Sequence, residues 1–142
     1  MTDTSTIMMM VQDKLPKDMV SLPNLRDKLD KLSDAKREEL VQKLPMLKLK
    51  SPALVFWVGS FLFGNFGVGR FMIGDTLLGG IRLGLFILYL MSGFFALINA
   101  TAAIVISAAA LTAMWIWYIV DLFITGKKLR KKNLDKILLA IS

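Results

Sequence analysis

Cysteine and histidine are both missing from the 142 residues. Without cysteine there can be no disulfide framework, thiol nucleophile, iron–sulfur cluster or thiolate metal site. Without histidine the chain lacks the commonest general base near neutral pH and the commonest metal ligand. Catalysis would have to rest on Asp, Glu, Lys, Ser or Tyr alone. No catalytic, cofactor-binding or metal-binding set stands out, so neither an enzyme nor a cofactor is expected. Charge is scarce in one region: between residues 51 and 126 the only charged side chains are Arg70, Asp75, Arg82 and Asp121. A secretory signal is not expected either. Residues 1–10 carry Asp3 and no basic residue, and the apolar run Ile7–Val11 falls short of the roughly 7–15 residues of a signal core. The hydrophobic stretches further in therefore read as retained anchors.

What the chain has in quantity is apolar surface. Hydrophobic residues make up 55% of it and the mean hydropathy is +0.57. Of the 18 Lys and Arg, ten precede residue 51 and six follow residue 126. A soluble fold of this length has too few polar residues to cover so long an uncharged middle. The expected class is an all-α integral membrane protein, multi-pass, with a small bundle of two to three membrane helices. Three regions follow: a polar helical head and linker (1–50), a transmembrane domain (51–126) and a basic C-terminal tail (127–142).

The head reads as short amphipathic helices. Pro23 suits a helix start, and Leu22, Leu25, Leu29 and Leu32 share one helical face. Ser33 or Asp34 can cap a second helix carrying Leu40, Val41 and Leu44. Such a hairpin could lie on itself, on the bilayer surface or against a cytosolic partner, because a head this small can hardly build a stable core alone.

The middle divides into apolar segments at Ala53–Gly67, Thr76 to about Ile98, and about Thr101 to Thr125, with a tight turn at Asn99–Thr101. A crossing helix needs about 20 apolar residues, which the second and third supply and the first does not, unless it continues to Ile73. Lys127, Lys128, Arg130, Lys131 and Lys132 crowd the end of the third segment. They place that end in the cytoplasm by the positive-inside rule and are expected to contact anionic lipid headgroups. Lys43, Lys48 and Lys50 ask for the cytoplasm at the other end. Three crossings cannot satisfy both. A translocated head, a re-entrant first segment, or second and third segments that do not both cross all remain open.

The link Gly64–Asp75 holds four glycines within the 11 residues 64–74, which break helices and let backbones approach closely. Its Arg70 and Asp75 could sit among headgroups, form a recognition loop or lock a bundle as an ion pair. The runs Lys50-Ser-Pro-Ala-Leu, Ser60-Phe-Leu-Phe-Gly, Gly67-Val-Gly-Arg-Phe-Met-Ile-Gly-Asp and Trp117-Tyr-Ile-Val-Asp-Leu-Phe-Ile resemble the two-transmembrane-domain family, whose two helices are joined by a loop with an Asp-Arg-Phe signature. The tail RKKNLDKIL at 130–138 is similar to that of a bacterial subgroup. The resemblance implies that Arg70, Phe71, Gly74 and Asp75 form the loop signature and that Asp121 is the acidic residue near the end of the last helix. It also implies a bacterial inner-membrane location and no substrate. Two departures stand out: Gly69 occupies the place of the family's Asp, and 51 residues separate Arg70 from Asp121.

Arg82 lies six residues into the second segment, shallow enough to snorkel; alternatively it pairs with Asp121 or lines a polar cavity. A cluster of Arg70, Arg82 and Asp121 is geometrically reasonable. Small residues recur at four-residue spacing, as in Ser60/Gly64, Gly80/Gly84, Ser92/Ala96 and Ala103/Ser107, which suits close helix packing within one chain or in a homo-oligomer. The tail, with Leu129, Leu134, Ile137, Leu138 and Ile141, reads as an interfacial helix on anionic lipid. Nucleic acid is not expected as a partner, because the basic run abuts an apolar helix and lacks interleaved aromatics. The expected role is a membrane structural or protein-interaction component that binds itself or another membrane protein. The alternative is an oligomeric channel or membrane-permeabilising protein.

Overall fold

Every regular element is helical, and no strand occurs among the residues described, 3–142 of a computed structural model. In chain order these are α1 (Thr4–Val11), α2 (Ser21–Asp30), α3 (Asp34–Lys43), α4 (Pro52–Leu62), α5 (Val68–Met72), α6 (Thr76–Phe95) and α7 (Ala100–Ile141), with 3-10 turns at Gln12–Lys14 and Gly64–Phe66. The chain forms two compact units. The described residues up to Pro52 join Lys127–Ser142 in one, and Ala53–Gly126 make the other. The head and tail, expected as separate regions, are therefore one body.

The first unit is held by an aliphatic core. Ile7, Val11 and Leu15 repeat at four-residue spacing, as do Leu25 and Leu29; with Leu40 and Ile137 they are all buried in one cluster. Fully burying such a side chain contributes about 1.5–3 kcal/mol. Leu134, Leu138 and Ile141 pack against the same cluster. The tail, expected as an interfacial helix, turns this apolar face to the head. The physical reason is the small size of the head, whose apolar faces need a further helix to close over them. Helix α1 is part of the same answer and was not anticipated.

Polar groups fasten the tail. Arg130 donates to the carbonyls of Asp13 (3.0 Å) and Leu15 (2.9 Å), and Asn133 Nδ2 donates to those of Lys14 (3.0 Å) and Lys50 (2.9 Å). Lys136 Nζ reaches the Leu47 carbonyl at 3.0 Å. Asn133 is 1% exposed, so its amide is a buried polar group with its donors satisfied. Arg37 closes α2 by donating to the terminal carbonyls of Leu29 (3.0 Å) and Asp30 (2.9 Å), at the helix end where the i+4 bonds of the helix run out. At the other end of α2, Asp18 accepts from the Ser21 backbone N–H and hydroxyl; those bonds hold its carboxyl below the usual carboxylate range.

Helix α4, which but for Pro52 belongs to the second unit, is α-helical over Pro52–Leu54 and widens into a π-helix over Val55–Leu62. Eleven residues are too few to cross a ~30 Å hydrocarbon core. Its backbone touches that of α5: a Cβ on Gly59 would lie 2.7 Å from Gly69 Cα, and one on Gly69 would lie 2.7 Å from Ser60 Oγ. Only glycine permits that approach. The glycine-rich link does not stay open but folds into the Gly64–Phe66 turn and α5.

α6 and α7 are the two helices long and apolar enough to cross a membrane. α6 stops at Phe95, three residues before the expected limit, and Asn99 caps α7 by accepting the Ala102 N–H at 3.0 Å. Between the two helices Ser92 and Ser107 share a hydroxyl hydrogen bond of 2.7 Å. The Gly80/Gly84 pair faces open space.

Candidate functional site: a buried charge cluster

Four charged side chains gather in the second unit from four places in the sequence. Helix α5 supplies Arg70, its connection to α6 supplies Asp75, α6 supplies Arg82 and α7 supplies Asp121. The α5–α6 connection is what brings the first two together. Gly74 sits at φ +83°, its N–H bonds to the Phe71 carbonyl at 3.0 Å, and the Asp75 N–H bonds to the Arg70 carbonyl at 2.8 Å. This is the left-handed helix stop that glycine favours. It folds Asp75 back over Arg70, whose Nη1 donates to Asp75 Oδ2 at 3.3 Å.

Asp121 is the hub. Arg70 donates to its Oδ1 through Nε at 2.9 Å and also through Nη2, while Arg82 Nη1 donates to its Oδ2. Arg70, Arg82 and Asp121 are 5%, 1% and 4% exposed, so Arg82 does not snorkel to a surface. Two guanidinium groups face two carboxylates, and the cluster is neutral as a whole. Arg82 is only partly satisfied: its Nε and Nη2 have no hydrogen-bond partner, although its Cζ lies 5.9 Å from the Tyr118 ring centroid, within cation–π range.

The Tyr118 ring packs on Gly64, where a Cβ would lie 2.9 Å from Cε2. Arg70 and Phe71 divide their tasks: Arg70 enters the cluster, and the half-exposed Phe71 ring covers Gly79, where a Cβ would meet it at 2.9 Å. Both oxygens of Asp121 are taken by guanidinium donors. The arrangement is that of one carboxylate shared as counter-ion by arginines of α5 and α6. The basic tail residues lie in the first unit. Lys127 and Lys131 are exposed, Lys128 and Lys132 half-buried, and Arg130 is engaged with head carbonyls.

Sequence reasoning missed Tyr118 and Gly64 at the cluster, and Asn133 in the tail. Asn133 was signalled by its three-residue spacing from Arg130 and four-residue spacing to Ile137, which puts all three on one helical face. No protein family matches the chain, and no curated protein or solved structure is significantly similar to it.

Proposed function

We propose that the chain is a small integral membrane protein of two crossings that presents a basic helical body at the cytoplasmic face as a structural or protein-interaction component. The observation that carries this is the shared core of head and tail. Residues that share a core must lie on the same side of a bilayer, so the chain between them crosses an even number of times. Helices α6 and α7 supply two crossings, and α4 is too short for another. The conflict between the two basic flanks then disappears, since both fall on one side.

Exposure of apolar side chains supports the lipid environment. Only 17% of the most apolar window of each long helix is buried; Leu77, Phe94, Ile104, Trp115 and Phe123 are each at least 64% exposed. Apolar faces of that extent are characteristic of membrane or protein interfaces. The net charge of +7 belongs to the first unit, which carries sixteen basic and nine acidic residues, whereas the second unit balances two against two. A single-sided basic body is the distribution that the positive-inside rule assigns to the cytoplasm. The motif resemblance to the two-transmembrane-domain family points the same way and brings no substrate.

The balanced cluster argues against conduction, because its charges are spent on one another. Purified protein reconstituted into liposomes is expected to resist alkaline extraction and to leave a preformed ion gradient intact. Rapid dissipation of the gradient would replace this role with that of a channel.

A further inference from the structure

The first unit contains a groove of about 770 Å³ between the Pro16–Ser21 stretch and the start of the tail, lined by Lys17, Lys127, Arg130 and Lys131 with Leu134 at its apolar wall. Two carboxylates also line it, Asp18 and Asp135. Asp18 is occupied in closing α2 through Ser21. Arg130 is fixed by two head carbonyls, and the ammonium groups of Lys17, Lys127 and Lys131 have no partner among the described residues. The groove therefore holds an excess of two positive charges, with three lysines free to move onto a ligand. Two further observations bear on what that ligand is. Lys127 directly follows the apolar part of α7 in sequence, which keeps it within a turn of a membrane surface. Beside Lys17 and Asp18, Met19 and Val20 are 95% and 66% exposed, an apolar tip with nothing over it.

We propose that this groove binds the headgroup of an anionic phospholipid, with a preference for one carrying two phosphate charges, while Met19 and Val20 enter the acyl layer. The excess of two positive charges matches a diphosphate headgroup. The apolar tip and the position of Lys127 favour a lipid over a soluble phosphate ester or an acidic peptide. This inference rests on the membrane reading above and adds the ligand class.

The test is lipid retention by the full-length protein, purified in a mild non-ionic detergent and measured by native mass spectrometry with cardiolipin, phosphatidylglycerol and phosphatidylcholine. Retention should fall in that order. The double variant Lys17→Gln/Lys131→Gln should bind cardiolipin about thirtyfold more weakly, taking the usual contribution of a lysine at an anionic surface twice. The double variant Arg26→Gln/Lys36→Gln, which removes two charges elsewhere on the same unit, should stay within about threefold of the unmodified protein. Equal losses in the two variants would mean diffuse attraction and overturn the proposal. So would displacement of cardiolipin by millimolar glycerol phosphate or by an oligoglutamate peptide. Alkaline extraction of the same protein from membranes separates the two ideas. A chain that stays inserted and shows no headgroup preference overturns only this inference, whereas a chain that is extracted overturns the membrane reading with it.

Discussion

Asp121→Ala is expected to be the most damaging single substitution in the second unit, lowering stability by about 3–5 kcal/mol, because it leaves buried charge without its counter-ion. Asp121 accepts from both Arg70 and Arg82, so two guanidinium groups lose an acceptor at once, and Arg70 keeps Asp75. Arg70→Met should follow, because it removes one partner of Asp75 and deprives Asp121 of two of its three donors. Arg82→Met should be mild, within about 1 kcal/mol of neutral: a well-packed apolar replacement often matches or exceeds a buried ion pair. Arg82 already has two donors without partners, and Arg70 remains on Asp121. Asp121→Arg should abolish folding, and adding Arg82→Asp should restore part of it. Thermal loss of helical circular dichroism in detergent micelles measures the series. Equal losses at the three positions, or no restoration in the double variant, would show that the cluster does not act as a hub.

The second large effect is expected in the first unit. Ile137 is fully buried among residues of α1, α2 and α3, although it lies 97 positions after Leu40, the nearest of them in sequence. Ile137→Ala should cost about 2–5 kcal/mol in lost transfer energy and cavity formation. For a unit this small that is a large share of a total stability on the order of 5–15 kcal/mol. Trypsin should then cleave the many Lys and Arg of the head and tail while Ala53–Gly126 stays resistant. Leu139→Ala, two residues away but 75% exposed, should leave the cleavage pattern unchanged. Similar behaviour of the two variants would mean that tail and head do not share a core.

The convergence of positions 70, 82 and 121 was legible because charge is so rare between residues 51 and 126. Isolated charges in an apolar environment need partners, and few combinations were available. The two long helices were legible from length and hydropathy. The hairpin limits were not, since Leu97 and Ile98 are as apolar as the helix they follow, and Asn99 acts through its side chain as a cap. The association of tail and head was hidden for a different reason. The spacing of Leu134, Ile137, Leu138 and Ile141 announces an apolar helical face but not what covers it, and lipid satisfies the pattern as well as a protein core does. The π-helical part of α4 had no signal either, because Val55–Leu62 is apolar throughout.

The number of crossings can be read from single cysteines on this naturally cysteine-free chain. Asn24→Cys, Leu97→Cys and Asp135→Cys place one thiol at an exposed point of the head, of the α6–α7 connection and of the tail. With a membrane-impermeant maleimide on sealed, oriented vesicles, the head and tail positions should react from the same side and the connection only from the other. Head and tail reacting from opposite sides, or all three from one, would contradict two crossings with head and tail on one side.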